Sequence, residues 1–265
     1  MTRLLVFDSG IGGLSVAREI RAALPSAEIV YVADDAAFPY GDWDEPALTE
    51  HVVTLVGGLV RVMAPAAVVI ACNTASTLVL PPLRALHSVP FVGTVPAVKP
   101  AAAETRTGLV SVLGTFGTIQ REYTRTLIQE YAGHCHVRLV GSANLAPLAE
   151  AYMRGDLVDD ADIWTEIEPA FVERDGKRTD VIVLACTHYP FLLEQFRRLA
   201  PWPVTWIDPA PAIARRVVSL IGETSGASVR GLAYLTSSTP WPPPVALILD
   251  RLGLEPAVLP RRENA

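Results

Sequence analysis

The sequence predicts an α/β protein made of two doubly wound parallel-sheet domains, with an active site between them. Three observations carry this expectation. Short apolar runs such as Leu4-Leu5-Val6-Phe7 and Val68-Val69-Ile70 alternate with stretches of helical pattern, which is the rhythm of β-α-β units. The rhythm restarts around Gly93-Thr94-Val95-Pro96, where a second unit begins. Two of the runs end in nearly the same phrase, Val68-Val69-Ile70-Ala71-Cys72-Asn73-Thr74 and Val183-Leu184-Ala185-Cys186-Thr187-His188. Open α/β sheets bind ligands beyond the carboxyl ends of their strands, so both sulfurs fall at the mouth.

Taken in order, residues 4–7 form a first strand, Asp8-Ser9-Gly10-Ile11-Gly12-Gly13 a tight turn, and 14–24 a helix stopped by Pro25. Residues 29–32 form a second strand with Asp34-Asp35 at its end. A polar loop through Pro39-Tyr40-Gly41 follows, then a helix over about 46–63, a strand over 67–71 and a helix after Thr74. In the second unit a helix precedes a strand at 108–113. A Gly/Thr turn through Gly114, Thr115, Gly117 and Thr118, a helix to about Tyr131 and a strand at 181–185 come next. The segment from about Asp208 through Ala233, with a helix near 245–252, returns to the first unit. The expected domains are therefore 1–95 plus 208–265, and 96–207. Thr239-Pro240-Trp241-Pro242-Pro243-Pro244 reads as a rigid polyproline-like loop and 261–265 as a frayed tail.

With 265 residues, 50% of them hydrophobic and 19% charged, the chain can bury a full core. The apolar stretch after Met1-Thr2-Arg3 is cut short by Asp8, which is too soon for a signal peptide, and no later run reaches the length of a membrane span. Cytoplasmic residence is the expectation. Three cysteines, an odd number without an export signal, predict reduced thiols. A net charge of −6 provides no basic field, which argues against nucleic acid or an anionic membrane as a principal partner.

A lone cysteine after a strand is ordinarily a small core hydrophobe. Two in matching contexts point instead to one thiol on each side of a single substrate. Asp8 is placed either to cap the following helix or to hydrogen-bond Cys72 or the substrate. His188, two residues after Cys186, is placed to hold or exchange that thiol's proton. A free thiol titrates near about 8.5, so a base role predicts helix N-termini or neighbouring donors that lower this value. One thiolate would take the Cα proton while the opposite thiol delivers another, and positioned acid–base groups of this kind contribute about 10²–10⁴-fold in rate.

Rival chemistries fit less well. Gly10-x-Gly12-x-x-Ser15 with Asp34 or Asp35 imitates a dinucleotide fingerprint, but the third glycine is missing and Asp8 would repel a pyrophosphate. Ser15 also sits where close helix packing favours Gly or Ala. A Cys-His nucleophilic hydrolase or acyltransferase would leave the second cysteine without a role. His134-Cys135-His136 resembles a metal clip without a nearby fourth ligand, so no metal is expected and a solvated turn is predicted. His51 and His87 read as surface or capping residues of helices. Pyridoxal phosphate needs a Schiff-base lysine. Lys99 and Lys177, the only two lysines, lie at no recognisable phosphate site, so no cofactor is expected.

The motifs Phe7-Asp8-Ser9-Gly10-Ile11-Gly12-Gly13-Leu14, Pro39-Tyr40-Gly41, Ala71-Cys72-Asn73-Thr74-Ala75-Ser76, Gly117-Thr118-Ile119 and Cys186-Thr187-His188-Tyr189-Pro190-Phe191-Leu192 resemble the glutamate racemase family, within the aspartate/glutamate racemase superfamily. The match runs in order from residue 4 to about residue 217. The resemblance implies a cofactor-independent interconversion of L- and D-glutamate by a cytoplasmic homodimer, supplying D-glutamate for peptidoglycan synthesis. It also implies that Cys72 and Cys186 are the two catalytic acid/bases, with Asp8 assisting the first and His188 the second. Ser9, Tyr40, Gly41, Asn73, Thr74 and Thr187 would join Asp8 and His188 in holding the substrate, with Glu150 as an assisting carboxylate near the pocket.

The chain departs from the family pattern in carrying Ala33-Asp34-Asp35-Ala36 where Gly-Asp-Thr-Ala is common, in a longer stretch over 108–117, and in Pro209 where a serine is frequent. These departures bear on pocket detail and substrate preference. Aspartate or another acidic amino acid stays open as the substrate, as does a catalytically weak binding or regulatory relative.

Overall fold

The computed structural model describes residues 2–223 and 225–259; the tail expected at 261–265 lies outside them. The strands are β1 (Arg3–Asp8), β2 (Glu28–Ala33), β3 (Ala67–Ile70), β4 (Phe91–Gly93), β5 (Leu109–Thr115), β6 (His136–Ser142), β7 (Glu173–Arg174), β8 (Lys177–Arg178), β9 (Val181–Ala185), β10 (Thr205–Ile207), β11 (Gly231–Leu235) and β12 (Leu254–Ala257). A six-stranded sheet has the order β12-β11-β2-β1-β3-β4 and a four-stranded sheet the order β10-β9-β5-β6. All pairs in both are parallel. The strands β7 and β8 make a small antiparallel hairpin.

Both faces of each sheet are covered, as parallel sheets require. On β1, Leu4 and Val6 pack with Ile29 and Tyr31 under helices Leu14–Ala23, Ala210–Ile221 and Pro243–Arg251. Leu5 and Phe7 point the opposite way, against helices Glu45–Met63 and Asn73–Leu86. The smaller sheet repeats this. Val110 and Val183 face helix Val98–Glu104, while Leu113 and Leu184 face helices Leu145–Arg154 and Asp160–Ile167. Each such side chain taken fully from water contributes about 1.5–3 kcal/mol, so period-two alternation of apolar residues on both faces fixes the strand register.

Caps set the helix ends that frame the site. Asp44 accepts from Ala47 N (3.0 Å) at the start of helix Glu45–Met63, and Gly155 closes helix Leu145–Arg154 with φ 94°. Three expectations are corrected. The helix expected after Thr74 starts at Asn73, so Asn73 and Thr74 lie in its first turn. The strand β5 continues through Gly114 and Thr115, and the expected turn is a short helix, Phe116–Ile119. Pro243 and Pro244 open helix Pro243–Arg251 rather than extending a polyproline loop, because a proline in the first helical turn has no N–H to lose.

Candidate active site

The carboxyl ends of the two sheets face each other across a cavity lined by Ser9, Tyr40, Gly41, Cys72, Asn73 and Thr74 from one half and Thr115, Ala146, Cys186, Thr187 and His188 from the other. Phe38 and Pro39 close one side. The two thiols thus share one cavity. Each is nearly buried, with 5% of Cys72 and 6% of Cys186 exposed. The free volume between the lining side chains is about 20 Å³, room for about one water.

Cys186 follows β9, and His188 comes two residues later at the start of a short 3-10 turn, Tyr189–Leu192. The ring Nδ1 lies 3.7 Å from Cys186 Sγ, and Nε2 lies 2.9 Å from Glu150 Oε1. Burial, the largest single influence on this imidazole, would lower its pKa. The hydrogen bonds and charges of Cys186 and Glu150 outweigh burial and hold it well above 6.5. Burial likewise would raise the Glu150 carboxyl, but His188, Ile11 N–H and Arg154 pull it below its usual value. The pair is therefore an imidazolium and a carboxylate. Gly12 N–H lies 3.2 Å from the same Nε2, but that nitrogen cannot accept while it donates to Glu150, and the two charges make it the donor.

Cys72 occupies the N-cap position of helix Asn73–Leu86 without a side-chain capping bond, and its thiol donates to Ser9 Oγ at 3.5 Å. Its pKa is pushed up to about 12, first by burial and then by the charge of Asp8, against the opposing pull of Ser9 and Ala75 N–H. The expected lowering by a helix N-terminus is thus overturned for this cysteine. Desolvation of an anion among apolar residues exceeds what two weak donors return.

Asp8, at the end of β1, is fully buried. Its carboxylate accepts from Gly13 N at 2.8 Å, from Gly10 N at 3.4 Å and from Thr187 Oγ1 at 3.3 Å. It therefore pins the glycine turn and reaches across to the second half, and its influence on Cys72 is through charge. Burial pushes its pKa to about 6, partly offset by His188.

Asn73 is 2% exposed, and neither its Nδ2 nor its Oδ1 has a hydrogen-bond partner. Such a group is costly unless something polar arrives to meet it. Beside it the hydroxyls of Thr74, Thr115 and Thr118 form a triangle with edges of 2.9, 3.3 and 3.1 Å. Thr115 was not expected at the site; its place at the carboxyl end of an apolar strand is the signal that could have found it, and Thr118 supports it from the short helix that follows. Tyr40 OH donates to Asp34 Oδ2 (2.5 Å), and His51 Nε2 meets the same oxygen at 2.6 Å. His51, expected as a surface or capping residue, instead helps brace the Tyr40 loop.

Asp35 does not face the cavity. It accepts from Ser237 N at 3.0 Å and from Ser237 Oγ, tying two loops of the larger half, so the extra carboxylate expected to alter the pocket is structural. His136 begins β6 and its Nδ1 accepts from Arg174 Nη1 (2.9 Å), while His134 Nε2 contacts Ala102 O at 3.4 Å. Among the described residues no group of three or more His, Cys, Asp or Glu is placed to hold a metal ion.

Two sulfurs on one cavity, one beside an imidazolium and one beside a neutral hydroxyl, can each exchange a proton with a small molecule held there. The chain belongs to the Asp/Glu/Hydantoin racemase family, whose model matches residues 14–217. It is 64% identical over 219 residues to a glutamate racemase of Brucella anthropi, covering 82% of this chain and 79% of that one. With one of Rhizobium meliloti it shares 62% over 224 residues, covering 84% and 81%. Its fold matches that of Escherichia coli glutamate racemase, solved in complex with L-glutamate and the activator UDP-MurNAc-Ala, with a TM-score of 0.88 at 39% identity over 97% of both chains. A glutamate racemase isoform of Bacillus anthracis matches with a TM-score of 0.82 at 26% identity, covering 97% of this chain and 96% of that one.

Proposed function

We propose that this protein is a cofactor-independent glutamate racemase in which Cys72 and Cys186 act from opposite faces of the substrate Cα. The observation that carries the reading is the pair of buried thiols on one cavity, in a chain 64% identical to a glutamate racemase. Domains 1–95 plus 208–265 and 96–207 close on the substrate. The division is supported by the two sheets, one built from strands within 3–93 and 231–257 and the other from strands within 109–207.

One sulfur removes the Cα proton, the electron pair spreads into the α-carboxylate, and the other sulfur returns a proton to the opposite face. On the Cys186 side, His188 Nδ1–H, with its positive charge held by Glu150, can replace the proton that the sulfur delivers. On the Cys72 side no comparable acid stands by. A thiol pushed to about 12 becomes a base only when a cation joins it, and the substrate ammonium is that cation. Asn73 and the hydroxyls of Ser9, Thr74 and Thr115 offer donors to the carboxylates, together with the backbone of Tyr40, Gly41 and Thr187, since the hydroxyls of Tyr40 and Thr187 are given to Asp34 and Asp8. Fixed donors of this kind stabilise the developing enolate-like charge without reorganisation. The product D-glutamate supplies peptidoglycan synthesis in the cytoplasm, and the working species is a homodimer; both belong to the family resemblance. Among the described residues no helix is long and apolar enough to cross a membrane.

Replacing Cys72 or Cys186 by Ser should lower racemisation of either enantiomer by at least about 10²-fold, measured polarimetrically with solvent deuterium exchange at Cα. Near wild-type racemisation by either variant sinks the two-thiol mechanism. Turnover efficiency should be higher on glutamate than on aspartate, and the reverse ranking overturns the substrate assignment.

A further inference from the structure

The turn between β1 and helix Leu14–Ala23 holds the second half more closely than its glycines alone suggest. A Cβ at Gly10 would stand 2.3 Å from Glu150 Oε1, and one at Gly12 would stand 2.4 Å from His188 Nδ1. Ile11 N donates to Glu150 Oε1 at 2.8 Å. The glycines thus serve the approach of one half to the acid–base helpers of the other. One turn of helix further on stands Ser15, 1% exposed.

Ser15 lies in the first turn of helix Leu14–Ala23, where a serine hydroxyl commonly bonds to nearby backbone of its own segment. Ser15 Oγ donates instead to the carbonyl of Thr187, at 3.0 Å and 172 positions away in sequence. Thr187 is the residue between Cys186 and His188, and its hydroxyl is already given to Asp8. The first half therefore grips this one residue twice, by side chain and by backbone.

We propose that Ser15 is a positioning residue for the Cys186 side of the reaction, holding the Thr187 peptide so that His188 Nδ1 stays on Cys186 Sγ. The inference rests on the racemase reading above. The Nδ1–Sγ separation is 3.7 Å, already long, so a shift of a few tenths of an ångström in the intervening peptide weakens it. Without the serine hydroxyl, the Thr187 carbonyl is left buried and without that donor, and the segment relaxes toward whatever partner it can find.

The test compares Ser15→Ala and Ser15→Cys with wild type, using both glutamate enantiomers and their Cα-deuterated forms. Ser15→Ala should lower kcat about 3- to 10-fold, the equivalent of one lost hydrogen bond, with KM changed less than about twofold. The primary isotope effect should shift more for one enantiomer than for the other, because only one thiol has lost its helper's alignment. Ser15→Cys, a weaker donor of similar size, should fall between Ser15→Ala and wild type. A folded Ser15→Ala with unchanged kcat and isotope effects, or with only a raised KM or a lowered melting temperature, overturns the role. Should Ser15→Ala fail to fold, Ser15→Cys decides: a kcat reduced by half or more at constant KM supports the role, and a wild-type kcat overturns it. A wild-type protein that racemises neither glutamate nor aspartate overturns the racemase reading and this role with it, whereas an active wild type with an indifferent Ser15 overturns this role alone.

Discussion

Replacing Asp8 by Asn should make the protein more stable at neutral pH while impairing catalysis. The carboxyl is fully buried and its pKa rises from 3.8 to about 6, chiefly through burial. Below pH ~4 it is protonated in the folded and unfolded chains alike. Between about 4 and 6 the unfolded chain releases the proton and the folded chain keeps it, so stability falls as pH rises through this window. Above about 6 the loss is complete, and at ~1.36 kcal/mol per pK unit it amounts to about 3 kcal/mol. His188 and Glu150, the charged groups facing Asp8, hold their charges across the window because one pKa is raised and the other lowered. Their contributions cancel between wild type and variant. The stability of Asp8→Asn relative to wild type should therefore grow by about 3 kcal/mol from pH 4 to pH 7. At an m-value of about 3 kcal/mol/M, that is a relative shift of about 1 M in the urea midpoint. Urea unfolding of both proteins at pH 4, 5, 6 and 7 measures it directly, with racemisation assayed on the same samples. A relative stability that does not change with pH would refute the argument that burial of an anion, and not its hydrogen bonds to the glycine turn, dominates this site.

Gly12→Ala forces a methyl to within 2.4 Å of His188 Nδ1, so the ring must move or the halves must stay apart. It should cut kcat by about 10²-fold or more and cost about 1–3 kcal/mol of stability, and near wild-type kinetics with an unchanged melting curve would contradict the packing described. Asn73→Ala removes a buried amide that lacks partners, so KM for glutamate should rise at least about tenfold with stability unchanged or improved by up to about 1 kcal/mol. An unchanged KM would show that this amide does not meet the substrate.

Much of the architecture was legible in the sequence because parallel strands buried on both faces are written as unbroken apolar runs. The strands β1, β2, β3 and β9 follow from such runs, and the two cysteines announced themselves because each ends one. The strand β6, at the edge of its sheet, hides behind His136 and Arg138, since an edge strand leaves alternate residues in water and keeps no continuous apolar signal. Within the site, residue types determined that thiols, an imidazole and carboxylates would gather at strand ends. Tertiary structure alone decided how they pair.

Glu150 meets Ile11 across 139 positions and His188 across 38, and Thr74 reaches Thr115 across 41. No local pattern encodes such distances, because Ile11–Glu150 and Thr74–Thr115 join residues of the halves built on the two different sheets and Glu150–His188 joins a helix to the turn after β9. The charge states were decided at the same level. The sequence placed Cys72 at a helix N-terminus, which favours a thiolate, but in the folded protein burial beside Asp8 pushes that thiol up to about 12. Asp35, read along the chain as a pocket residue, turns instead to Ser237. The chain order of apolar and polar residues determines which strand ends carry chemistry. Desolvation and contact between distant segments, which exist only in the folded chain, determine what that chemistry is.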